Sequence, residues 1–331
     1  MKALALLLAL VPAAALDWPA APQPARLHFV GEFAGPRQAA AAGRWGRLAR
    51  TLLGVDDPTP GARVPGGLVQ PTGLAARAGT VWVADPGARG VFRYDEASGR
   101  GRWLPSDGTP LTSPVAVAAA EDGRLFVADS GSAKVLILDP AGRVTGELRG
   151  DPAGLGRPVG LALGGGRLYV ADAAGHRVSL YDLSGVYLAS FGRRGRGPGE
   201  FNFPTYLWYE AGRGRLWVCD SGNFRVQAFD SDGRPVASFG ESGNRPGYLA
   251  RPRGLAFDSD GHAYLVDGAF EALQVFDGAG GLLLFVGRAG GGPGEFNLPG
   301  GAFVDAADRL LVADTHNARV QIFQYLKEPV P

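Results

Sequence analysis

Arg215-Leu216-Trp217-Val218-Cys219-Asp220-Ser221-Gly222-Asn223-Phe224-Arg225-Val226-Gln227-Ala228-Phe229 sets two apolar runs on either side of one short polar stretch. The runs have the length and the β-branched and aromatic content of strands, and Ser-Gly-Asn is turn chemistry, so the stretch reads as a hairpin. The phrase that closes its first run returns along the chain. Val83-Ala84-Asp85, Val127-Ala128-Asp129, Val170-Ala171-Asp172, Val218-Cys219-Asp220, Leu265-Val266-Asp267 and Val312-Ala313-Asp314 each end an apolar run and open a turn. Successive aspartates lie 43 to 48 residues apart. A period of this size means one supersecondary unit repeated along the chain.

Outward from the hairpin, Thr205 to Trp208 supplies a preceding strand and Pro235 to Phe239 a following one, with tight-turn residues between them. Each unit is therefore a four-stranded antiparallel meander. Such a sheet cannot bury both faces alone, and the radial solution is to pack neighbours face to face around an axis. The sequence predicts an all-β, six-bladed β-propeller with four-stranded blades. The last unit has only three strands, at Gly301 to Val304, Leu310 to Ala313 and Val320 to Tyr325. Gly46 to Gly54 has the form of Gly233 to Gly240, so it is expected to enter the last blade as its fourth strand and close the ring. Closure removes an open sheet edge. Leu27 to Phe33 also reads as a strand, without an assigned place.

The 52 glycines and 25 prolines punctuate apolar segments at regular intervals, which suits a repeat and not a disordered chain. The start of the chain differs from the rest. Met1-Lys2, an apolar run from Ala3 to Val11 and then Pro12-Ala13-Ala14-Ala15 have the form of a secretory signal, too short to span a bilayer. The expected organisation is a signal peptide at 1–15, an extension at 16–46 and a single propeller domain at 47–331. No cysteine lies near the cleavage region, so a lipid anchor through cysteine is not expected. The expected location is the periplasm or the extracellular space, with no membrane span in the mature chain.

The formal net charge is +1 and falls to zero without Lys2, so the mature chain lacks the bulk positive charge that draws proteins to nucleic acid. Cys219, the single cysteine, stands where the repeated phrase has alanine or valine, which predicts a buried structural thiol.

The units at Pro204 to Phe229 and Ala313 to Phe323 resemble NHL repeats, and the Gly-Pro-Gly-Glu-Phe-Asn-x-Pro links at Gly197 to Pro204 and Gly292 to Pro299 resemble the loops between such repeats. The chain as a whole is similar to exported bacterial six-bladed NHL propellers, some of which accompany secreted or multihaem redox systems. That resemblance implies a binding or scaffolding role with such a system as a partner. Two units depart from the pattern. The basic residue five places after the aspartate is present as Lys134, Arg177, Arg225 and Arg319, but position 90 is glycine and position 272 alanine.

Six aspartates in a ring invite a metal or acid–base reading. Their position at strand ends before small polar residues favours turn caps instead, so Asp85, Asp129, Asp172, Asp220, Asp267 and Asp314 are read as structural. Asp230-Ser231-Asp232-Gly233 and Asp258-Ser259-Asp260-Gly261 lack the glutamate that completes a calcium loop and read as hairpin turns. His28, His176, His262 and His316 have no zinc-pair spacing, and the residues after the proline that opens each blade offer no histidine of the kind that peptidylglycine amidating lyases, which use a similar propeller, employ for zinc. No nucleophile elbow, Walker loop or haem-attachment motif occurs. No catalytic residue, cofactor or metal is assigned.

In this topology the turns after the aspartates and the links between blades emerge on one face, and departures from the repeat there are the candidate binding residues. Tyr206 stands where other blades have glycine or alanine, Arg253 where they have Thr, Val or Gly, and Phe224 and Phe270 put aromatics into turns that are otherwise small or polar. Arg193, Arg194 and Arg196 crowd the link between blades 3 and 4. Aromatic residues interleaved with arginine are common anchors of binding surfaces. The sequence thus points to an exported binding or scaffolding propeller for another exported protein or a small anionic ligand. The rival readings are a propeller lyase or lactonase-like hydrolase with a metal in the channel, and an RNA-binding NHL module.

Overall fold

The structure, a computed structural model, describes residues 17–19, 24, 26–34 and 67–327. It is a six-bladed propeller. Five blades are four-stranded antiparallel sheets in sequence order, and the sixth has five strands. In blade 4 these are Pro204–Glu210, Arg215–Asp220, Arg225–Phe229 and Pro235–Phe239, from the innermost strand to the outermost. The innermost strands of successive blades pack on one another around the axis, and that of blade 6 returns to that of blade 1. Six apolar clusters fill the six gaps between adjacent blades.

Closure uses a different segment from the one the sequence favoured. The fourth strand of blade 6 is Leu27–Phe33, antiparallel to Arg319–Tyr325, and a fifth short strand, Asp17–Trp18, pairs outside it. Gly46 to Gly54 lies outside the described residues, and the place proposed for it is taken. The physical reason lies in the packing of Leu27–Phe33. Leu27 and Phe33 are both buried, Phe29 packs edge-on against Phe323 at 5.6 Å, and Glu32 meets the buried Arg319 guanidinium at 2.7 Å. Gly46 to Gly54 shares the spacing of a fourth strand but offers no carboxylate for Arg319.

The repeated aspartates are all buried, and each ties its turn to the link that precedes its blade. Asp85 accepts from Val69 N and Gln70 N as well as Ala88 N, Asp172 from Gly156 N, Arg157 N and Gly175 N, and Asp267 from Ala250 N and Arg251 N. In blades 4 and 6 the bonding differs. There the turns are short 3-10 segments, Ser221–Asn223 and Thr315–Asn317, which the aspartate side chain does not cap. Asp314 instead accepts from Asn297 N and from the side chains of Asn317, Arg319 and Gln321, and Asp220 has the same four kinds of partner.

Four residues after each aspartate the backbone turns left-handed, at Arg89, Ala133, His176, Phe224, Glu271 and Ala318, with φ between 50° and 57°. None of these is glycine. A left-handed conformation costs an ordinary residue roughly 1–2 kcal/mol, part of which glycine returns as unfolded-state entropy. Ala133→Gly is accordingly expected to stabilise the protein by about 0.5–1 kcal/mol, read as a rise in the denaturant midpoint with an unchanged slope. A lower midpoint would show that this backbone is not strained.

Candidate functional site

The face that carries the aspartate turns and the inter-blade links holds the channel mouth. In blades 2 to 5 the innermost strand skips register just after its opening proline, so Val115, Val159 and Arg253 bulge out of the ladder, as do Thr205 and Tyr206 together. A bulge re-aims the residue it frees. Arg253 runs over Gly268 and beside the Pro299 carbonyl, at the join of blades 5 and 6. It is half-buried and has no hydrogen bond or carboxylate partner among the described residues. Burial and the neighbouring positive charge of Arg251 both push its pKa down. An arginine so placed carries an unmatched charge.

Tyr206 lies across the channel, where its hydroxyl donates to the Ala302 carbonyl of blade 6 at 2.7 Å. A Cβ at Gly301 would overlap the Thr72 carbonyl oxygen and stand 3.0 Å from that hydroxyl, which explains the glycine there. Burial raises the phenol's pKa, so it remains a donor. Tyr206 therefore forms a floor under the mouth. Beneath it, toward the other face, a cavity of about 210 Å³ is lined by Trp208, Tyr209, Phe303, Arg77 and aliphatic side chains.

The other aromatic candidates do not converge with these two. Phe224 packs against the apolar cluster between blades 4 and 5, and Phe270 meets Phe285 edge-on at 6.1 Å. Arg193 is paired with Glu200 at 2.9 Å, and Arg288 with Glu295 makes the same clasp in the link between blades 5 and 6. Arg194 and Arg196 are exposed and have no ion pair among the described residues. Cys219 is buried, and burial, then Asp220 and Asp267, raise its pKa, which keeps it a thiol. Asp230 and Asp258 each accept backbone N-H groups across hairpin turns.

Three residues escaped the sequence reading. In blades 3, 4 and 5 the residue just before the opening proline is Arg157, Phe203 and Arg251, and all three are exposed. Phe203 is left-handed at φ 53° yet 48% exposed, and its ring sits 4.6 Å from that of His176. Its backbone N-H also donates to His176 Nδ1 at 3.2 Å. Arg157 and Arg251 have no carboxylate partner among the described residues. Setting the six residues before those prolines side by side, Gln70, Ser113, Arg157, Phe203, Arg251 and Leu298, would have exposed the run of arginine and aromatic.

Among the described residues no group of three His, Cys, Asp or Glu side chains is arranged to hold a metal ion, and no helix is long and apolar enough to cross a membrane. The arrangement offers a positively charged mouth with an aromatic step, over a closed floor.

Residues 296–323 match the NHL repeat. That segment is the innermost part of the last link and the first three strands of blade 6, with the Asp314 turn at its centre. No characterised protein sequence matches the chain. Solved structures similar to this propeller include a virginiamycin B lyase from Staphylococcus aureus, at 14% identity over 78% of this chain and 96% of that one, with a TM-score of 0.56. A gluconolactonase from Xanthomonas campestris aligns at 19% identity over 78% of this chain and 87% of its own, with a TM-score of 0.60. An auxiliary nutrient binding protein from Bacteroides thetaiotaomicron aligns at 14% identity over 79% and 70%, with a TM-score of 0.62. These likenesses are of fold, which hosts both enzymes and binding proteins.

Proposed function

We propose that this propeller is an exported binding module whose loop face takes an anionic ligand, or an anionic group on a protein partner, at the channel mouth. The observation that carries the reading is Arg253, half-buried without a carboxylate and beside a second arginine, Arg251. An unmatched guanidinium in partly desolvated surroundings gains most from an incoming anion, and its planar fork suits carboxylate or phosphate. Phe203 and Arg157 extend the same rim, so an anion attached to an aromatic or apolar body fits better than a bare ion. The form of residues 1–15 supports export, and sequencing the N-terminus of the protein recovered outside the cytoplasm is expected to start at residue 16.

Phenyl phosphate is a compact probe of the mouth. It is expected to bind, to weaken as salt is raised, and to lose at least about tenfold in affinity in the Arg251→Ala, Arg253→Ala double variant. Phe203→Ala should weaken phenyl phosphate more than inorganic phosphate. Equal affinity in the wild type and the double variant, with both folded, would overturn the reading.

A further inference from the structure

At the end of the molecule away from the mouth, a cleft of about 830 Å³ lies between blades 5 and 6. Its apolar wall includes Leu27, Val275, Leu283 and Leu284, and its polar lining is Arg26, Asp260, His262, Tyr264, Tyr325 and Lys327. It exists only because the ring closes with Leu27–Phe33. We propose that this cleft binds a neutral, largely hydrocarbon molecule carrying one hydroxyl, with His262 as the group that accepts its hydrogen bond.

Most of the polar lining is already committed. Tyr264 donates to Asp258 at 2.9 Å, Tyr325 donates to Asp260 at 3.0 Å, and Lys327 is held by Ser259 at 2.8 Å and Asp308 at 3.3 Å. His262 differs. Its Nδ1 meets Asp258 Oδ2 at 2.9 Å, and Nε2 has no partner among the described residues. The Asp258 side chain is fully buried and also accepts two backbone N-H groups, from Asp260 and His262. A carboxylate at Nδ1 accepts the proton there, which fixes the tautomer and leaves Nε2 an acceptor in the neutral ring. The ring also packs edge-on against Tyr325 at 5.5 Å, which fixes its orientation.

The same turn elsewhere in the molecule is built with arginine. Asp139 pairs with Arg143 and Asp305 with Arg309, each four residues on. Arginine in that place has no acceptor nitrogen, whereas histidine keeps the bond to the aspartate and presents one. Asp260, the other acceptor of the lining, already takes the Tyr325 hydroxyl and lies near Lys327, so a ligand's single donor is best met at His262 Nε2, and a ligand lacking the donor gives up that bond.

The test compares para-propylphenol with its methyl ether, para-propylanisole, which matches it in shape and lacks the donor. The full chain is expected to bind the phenol with one-to-one stoichiometry, about fivefold to tenfold more tightly than the ether. The phenol should move the imidazole resonances of His262. His262→Arg, the residue the same turn carries elsewhere, keeps a donor for Asp258 and has no acceptor, so the preference is expected to vanish in it. Leu283→Trp, at an exposed rim position, is expected to weaken both ligands without touching the dyad. Equal binding of phenol and ether, an undiminished preference in folded His262→Arg, or binding of neither compound would overturn the assignment. Because the cleft is remote from Arg251 and Arg253, the outcome is independent of the test at the mouth.

Discussion

Removal of residues 1–34 is expected to leave a chain that no longer unfolds in one cooperative step at ordinary temperature. The loss takes away the outer strand of blade 6 and with it the burial of Leu27 and Phe33, each worth about 1.5–3 kcal/mol. It also removes the Glu32 partner of Arg319, whose side chain is only 7% exposed, and opens the edge of Arg319–Tyr325. Together these approach the whole stability of a typical domain, about 5–15 kcal/mol. Denaturant unfolding followed by fluorescence and circular dichroism checks it. The strand supplies its own control, since Val30 is turned outward at a bulge and 53% exposed. Val30→Thr should stay within about 0.5 kcal/mol of the parent, while Phe33→Ala should lose about 3 kcal/mol or more. A truncated chain with the parent's midpoint would show that the ring closes some other way.

Asp314→Ala is expected to destabilise the protein by about 3–5 kcal/mol, because it leaves the buried Arg319 guanidinium without the carboxylate at its Nε. It also leaves the Asn297 N-H without its acceptor and takes one of the two acceptors from each of the amides of Asn317 and Gln321. Asp314→Asn should be nearly as damaging, since its amide would point a donor at the donors of Arg319 and Gln321. Asp85 provides the contrast. Among the described residues its carboxylate accepts only from the backbone, at Val69, Gln70 and Ala88, so Asp85→Asn keeps one accepting oxygen and is expected to lose only about 1–2 kcal/mol. Chemical denaturation of the three variants gives the ranking. Equal losses at Asp85→Asn and Asp314→Asn would show that the arginine network adds nothing to the turn.

The contrast between those two aspartates also marks where reading the sequence stopped. The basic residue five places after the aspartate is visible in the chain, and so is its absence at positions 90 and 272. That Arg319 would reach back to the carbonyls of Gly291, Gly292 and Glu295 in the preceding link is not visible, because those contacts span the distance between two loops that only the blade brings together. Tyr206 was legible as an exception to the repeat, but its role depends on Ala302, which lies 96 residues away along the chain and one channel-width away in space. Phe224 and Phe270 were equally exceptional in sequence and pack into the blades instead. Arg253 was legible as a residue, and its importance is the lack of a partner, which no local pattern records.

The sequence by itself determined the repeat, the number of blades, the four-stranded form of the first five and the positions of the turns. These follow from side-chain periodicity and turn chemistry, which act over a few residues. Only the tertiary structure decided which N-terminal strand completes the last blade, which arginines at the mouth stay unpaired and where His262 points. Those outcomes rest on distances between blades. Six near-identical units present near-identical local chemistry, and the choice among partners is made by what the closed ring brings within hydrogen-bonding reach.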